Sequence, residues 1–136
     1  MRIDTTYYES LEFKNWFGDS KAINEKGKPL FLFHGTWRKF ETFNVPSHGT
    51  YFTNDFHVAQ TYGELIKVHL SMQAPLILDF EGESDIGDEY NIEHEIAYAK
   101  EQGFNSLIVY NSFDGESFLD QFVVFNSSQI RIMGWE

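Results

Sequence analysis

The sequence predicts one α+β domain of six or seven short strands and two or three small helices, spanning residues 1–136. Three observations carry that expectation. Fourteen Phe and seven Tyr in 136 residues favour strands over a helical bundle. Apolar runs of strand length are separated by Gly, Pro, Asn and Asp turn chemistry. Apolar residues at helical spacing occur in only a few short windows. The length suffices for a hydrophobic core without covalent staples.

In chain order, Ser10 is a plausible N-cap for a short helix that places Phe13 and Phe17 on one face and stops at Gly18. Asn24 to Pro29 reads as a turn that feeds an apolar strand, Pro29-Leu30-Phe31-Leu32-Phe33, ending on His34-Gly35-Thr36. A loop through Pro46 and Gly49 leads to the strand Thr50-Tyr51-Phe52-Thr53. Asn54 or Asp55 then caps a helix running to Tyr62 and closed by Gly63. Leu65 to Met72 and Pro75 to Asp79 alternate as strands.

Residues 79–95 hold eight acids and no Lys or Arg, and read as a solvated loop leading into a helix over 91–102. Their spacing does not fit a twelve-residue calcium loop. Strands follow at Phe104–Tyr110, Phe118–Phe125 and Gln129–Met133, with a polar loop from Asn111 to Glu116.

The formal charge of −11 repels phosphate backbones, so duplex nucleic acid is not expected as a general partner, whereas a basic surface would be attracted. Without cysteine there is no disulfide, thiolate metal site or Cys nucleophile. No stretch has the length and apolarity of a membrane span, and the first residues lack a charged-then-apolar leader. These features suggest a cytoplasmic protein with no membrane partner.

Few frames for chemistry survive. The five histidines form no i, i+4 pair and no His-Glu-x-x-His frame, so no metal is expected. Nucleophile-elbow, phosphate-loop and dinucleotide-loop glycine patterns are absent. What remains is His34 at a strand end, with Tyr51 and Tyr62 downstream. Taken singly, a histidine there more often packs than reacts, and tyrosines in an aromatic-rich chain are ordinary core.

Their order changes the reading. His34-Gly35-Thr36, Gly49-Thr50-Tyr51-Phe52-Thr53, Ala59-x-x-Tyr62, Gln121-Phe122-Val123-Val124-Phe125-Asn126 and Gln129-Ile130 together resemble the ADP-ribosyltransferases. The subgroup is the diphtheria-toxin and poly(ADP-ribose) polymerase type with its His-Tyr-Glu triad, and the compact phage and prophage domains are the most similar in style. The likeness begins at Phe13–Ser20 and Gly27-Lys28-Pro29 and reaches the Gln129-Ile130 ending.

The resemblance implies a split β-sheet fold and NAD as substrate, with no metal. By the same resemblance, His34, Tyr62 and Gln121 are the catalytic set, and His34, Gly35, Thr36, Tyr51, Phe52, Ala59 and Tyr62 bind NAD. Tyr51 and Tyr62 would sandwich the nicotinamide, an arrangement that offset aromatic stacking favours. Gly35 would leave its backbone open to the carboxamide. His34, assisted by Thr36, would hold a ribose hydroxyl and fix the pose.

The departure is Gln121, standing where the family has glutamate. It keeps hydrogen-bonding capacity and loses the charge and the basicity. If the scaffold lacks only that carboxylate, Gln121→Glu is expected to raise NAD turnover. Asp120 should face away from Gln121, because alternate strand residues point to opposite faces. Leu119 departs from the Glu-x-Glu of arginine-specific relatives, so arginine is not a favoured acceptor. Polymer synthesis, which leans on the missing glutamate, is not expected either.

The function expected is an NAD-dependent mono-ADP-ribosyltransferase, phage- or prophage-borne, modifying a host protein or ribonucleoprotein. The alternatives are an NAD glycohydrolase, and a catalytically impaired module that binds or inhibits a partner.

Overall fold

The computed structural model describes residues 5–37, 40, 42–61 and 63–135. Among these are seven strands: β1 Leu32–Thr36, β2 Thr50–Phe52, β3 Glu64–Leu70, β4 Pro75–Asp79, β5 Ser106–Phe113, β6 Phe118–Val124 and β7 Ile130–Trp135. The helices are α1 Thr5–Glu9, α2 Leu11–Phe17, α3 Phe56–Gln60 and α4 Ile92–Glu101. One sheet has the order β1-β3-β7 and the other β2-β6-β5-β4. This is the α+β class that the residues predict, in the split-sheet form that the resemblance implies.

All pairings are antiparallel except β4 with β5, which run parallel. Two parallel neighbours need a crossover, and α4 supplies it. Asn91 caps α4 by accepting the His94 N–H at 3.2 Å. Ile92, Ile96 and Ala99 form its buried stripe. They pack with Phe80, Leu107, Val109 and Val123 on the outer face of the four-stranded sheet. Alternation turns Ile108, Phe122 and Val124 to the inner face, where they meet Leu32, Ile66, Val68 and Leu70 of the other sheet. Leu107, Ile108 and Val109 are therefore all buried, because both faces of β5 are covered. Each such side chain contributes about 1.5–3 kcal/mol by leaving water.

Several boundaries differ from expectation, each for a local reason. β1 begins at Leu32, because the Pro29 end is engaged elsewhere: Pro29 bridges Ile23, and Leu30 N–H donates to the Ala22 carbonyl at 3.0 Å. His34 therefore lies in mid-strand, opposite Ile66. β5 continues to Phe113 through the residues expected to be a loop, by way of an irregularity between Val109 and Ser112 where Asn111 adopts φ 54°. α3 ends at Gln60, and Tyr62 lies outside the described residues. A fourth helix, α1, precedes the two-to-three expected.

The sheets are joined where Phe33 and Thr53 exchange backbone hydrogen bonds of 2.8 and 3.0 Å. That seam sets β1 beside β2. Gly49 prepares the turn into β2 with φ +81°, and a Cβ there would stand 2.5 Å from Val123 Cγ1. Only glycine meets both conditions.

Candidate active-site cleft

The seam between β1 and β2 opens into a cleft of about 370 Å³. β1 contributes His34 and Gly35, β2 contributes Tyr51 and Phe52, α3 contributes Ala59, and β6 contributes Gln121. These six residues, expected together from the sequence, do line one space. Thr36 does not line it, and Tyr62 lies outside the described residues. A second cavity of about 430 Å³, under the loop before β2, shares His34 and Tyr51 with the first.

His34 is fixed by its surroundings. Its Nδ1 lies 2.7 Å from the Tyr51 carbonyl oxygen. A carbonyl only accepts, so Nδ1 carries the proton and donates, leaving Nε2 as an acceptor in the neutral ring. Phe43 and Phe52 pack against the imidazole with centroids 5.5 and 5.4 Å away. Burial holds the His34 pKa below the ordinary histidine value, with the Tyr51 carbonyl opposing in part. The ring is therefore neutral near pH 7, with a single defined tautomer.

Tyr51 packs on the outer cluster of the four-stranded sheet, and its ring also lines the cleft. Its phenol is pushed up to about 12, first by burial and then by the negative charges of Glu93 and Asp85. It stays a neutral ring over the whole physiological range, as a stacking surface should.

Gln121 is 6% exposed, and its environment was not foreseen. Its Nε2 donates to Asp85 Oδ2 at 3.0 Å and to Ser112 Oγ at 2.9 Å. Ser112 Oγ in turn donates to the Leu119 carbonyl at 2.8 Å. This chain sets the orientation of the amide, since a carboxylate and a hydroxyl already donating elsewhere both require a donor from Gln121.

The expectation that residues 79–95 are simply a solvated loop is corrected at one position. Asp85 is 9% exposed and lines the cleft, whereas Glu81, Glu83, Asp88 and Glu89 are exposed. The consequence expected of Gln121→Glu changes too, because a glutamate there would face another carboxylate. Asp120 does lie on the opposite face from Gln121: it accepts the Asn111 N–H at 2.9 Å and lines a different cavity, with Asp79 and Glu81. Asp114, Leu119 and Thr53 also line the cleft, although none of them was expected as a binding or catalytic residue. For Asp85 the sequence offered no signal, since it is one of eight acids in residues 79–95. Among the described residues, no group of three or more His, Asp or Glu could hold a metal ion, and no helix is long and apolar enough to cross a membrane.

The fold is thus a split pair of sheets with His34 and Tyr51 lining one cleft. The model of one family, ADP-ribosyltransferase in polyvalent proteins, matches residues 24–133, and the chain belongs to that family. No curated protein matches. Among solved structures, one described as the crystal structure of an anti-CRISPR protein is similar, with a TM-score of 0.49 and 14% identity, covering 76% of this chain and 95% of that one.

Proposed function

We propose that the protein is an NAD-dependent mono-ADP-ribosyltransferase, phage- or prophage-encoded, that modifies a macromolecule of the host. The observation that carries this reading is the convergence of His34, Gly35, Tyr51 and Gln121 on one cleft from three separate strands of the chain. NAD is two nucleosides joined by a pyrophosphate, and two adjoining cavities that share His34 and Tyr51 suit such a ligand.

In this reading, Tyr51 stacks on the nicotinamide, and the resemblance assigns its other face to Tyr62. Gly35 leaves room at the carboxamide. The unprotonated Nε2 of His34 accepts a hydrogen bond from a ribose hydroxyl and fixes the sugar for attack. Phe52 and Ala59 supply apolar wall, and Thr36 supports the strand from its far end.

The acceptor is assigned to a basic protein or ribonucleoprotein surface, because a chain of charge −11 attracts one. The test is incubation of the purified protein with NAD labelled in the adenylate half and host lysate, with nicotinamide release followed in parallel. A labelled macromolecule is expected. Nicotinamide release without one would select the glycohydrolase. Neither release nor NAD binding, by a folded protein, would leave only the binding-module alternative.

A further inference from the structure

Asp85 is an unusual carboxylate for this chain. It is buried at the cleft while the acids around it face solvent. Its backbone is held at both ends: the N–H donates to the Phe113 carbonyl at 2.9 Å, and the carbonyl accepts the Ile92 N–H at 2.7 Å. Among the described residues, the partner of its side chain is the Gln121 amide, a neutral donor on one oxygen. Burying a carboxylate with a single neutral partner is unfavourable, and such arrangements concentrate where a charge is needed for work. Other acids nearby are committed elsewhere. Asp114 Oδ1 accepts the N–H groups of Glu116 and Ser117 in its own turn, and Asp120 faces away.

Building on the transferase reading, we infer that Asp85 is the working carboxylate of the site. It is delivered from the loop after β4 to the neighbourhood where the resembled enzymes carry a strand glutamate. Gln121 is then its positioning residue, aiming Asp85 through the 3.0 Å hydrogen bond while Ser112 anchors the amide from the other side. The glutamate has not been lost without replacement. The carboxylate has moved to a loop, and an amide has taken its former place.

The chemistry balances without a further reactant. The bond between the nicotinamide nitrogen and ribose C1′ breaks, and its electron pair leaves with nicotinamide, which becomes neutral. A lone pair of the acceptor forms the new bond to C1′, and the acceptor's proton passes to Asp85 and then to water. The Asp85 charge stabilises the positive charge that builds on the ribose during the exchange.

The test measures nicotinamide release and NAD binding for wild type, Asp85→Asn, Gln121→Ala and the exchange Asp85→Asn/Gln121→Glu. Asparagine is isosteric and its oxygen can still accept from Gln121, so the fold should survive. Asp85→Asn is expected to lower kcat roughly a hundredfold or more while the Kd for NAD changes by less than about threefold. The exchange, which restores one carboxylate beside one amide, should recover about tenfold of that loss.

Gln121→Ala gives a second readout that does not depend on Asp85→Asn folding. Without the donor that aims it, the Asp85 carboxylate is no longer held at the reacting centre, so kcat should fall about tenfold while the Kd for NAD changes by less than about threefold. A wild type that cleaves NAD, joined with undiminished kcat in either Asp85→Asn or Gln121→Ala, overturns this inference alone. A wild type that neither binds nor cleaves NAD overturns the transferase reading and this inference together.

Discussion

Two histidines on adjacent strands show how one local arrangement serves two ends. His34 on β1 and His69 on β3 both present Nδ1 to a backbone carbonyl, Tyr51 at 2.7 Å and Leu30 at 2.9 Å. Burial lowers both pKa values, each partly offset by its carbonyl. Both rings are thus neutral, with Nε2 left to accept. The difference lies in what meets Nε2.

At His69 the hydroxyl of Tyr8 donates to it at 2.9 Å, Phe31 stacks on the ring at 4.5 Å, and the side chain is fully buried. At His34 that nitrogen has no hydrogen-bond partner among the described residues, and the ring lines a cleft. One histidine is closed by the fold and fastens α1 to the sheet. The other is held equally firmly and left open. A half-buried polar side chain with one satisfied end and one reachable end is the pattern of a binding group.

The contrast can be broken most sharply by exchanging the two losses. His34→Ala should lower NAD cleavage roughly a hundredfold through lost positioning, with little change in the urea midpoint. His69→Ala should leave cleavage per folded molecule near wild type while costing on the order of 3 kcal/mol in urea unfolding, because it opens a cavity and strands Tyr8. If the two variants behave alike in both assays, the division between site and core is mistaken.

A smaller effect tests the outer support of the His34 strand. Gly63 has φ +114°, and a Cβ there would lie 2.5 Å from the Thr36 carbonyl oxygen. Gly63→Ala should cost about 1–3 kcal/mol and weaken NAD binding as well, since β1 must shift to relieve the contact. Calorimetric titration with NAD reads the second part.

Tyr8→Phe sharpens the closed half of the comparison. It removes the donor from His69 and nothing else, so a loss of about 1–2 kcal/mol is expected in unfolding with cleavage unaffected. Protonation probes both histidines at once. Their folded pKa values lie below the ordinary 6.5, so folding is most favourable above pH 6.5. Stability falls as pH drops from there through the folded values, since the unfolded chain takes up the protons first. His69→Phe should flatten that acid loss in stability, whereas the acid loss of NAD affinity, which belongs to His34, should persist. Thermal melts and NAD titrations between pH 7.5 and about 5 separate the two.

Much of the fold was legible. The Ser10 cap, the Ile92–Glu101 helix and the strands through Tyr51, Leu107 and Val123 follow from side-chain periodicity and local turn chemistry, which act over a few residues. His34, Tyr51 and Gln121 could be singled out by their order. The strand through Asn111 could not, because a polar Asn-Ser segment resembles a loop until β6 pairs with it. Asp85 was hidden for a related reason. In sequence it is one of eight acids, and its burial depends on the backbone bonds that hold it to Phe113 and Ile92.

What the sequence by itself determined is a set of elements and the strand that presents His34-Gly35. Those depend on local preferences that each residue carries with it. Only the tertiary structure decided which of two similar histidines is open, and that an acid meets Gln121 from 36 positions away. Contacts of that range depend on the path of the intervening chain, and no local pattern in residues 79–95 encodes where that path brings its one buried carboxylate.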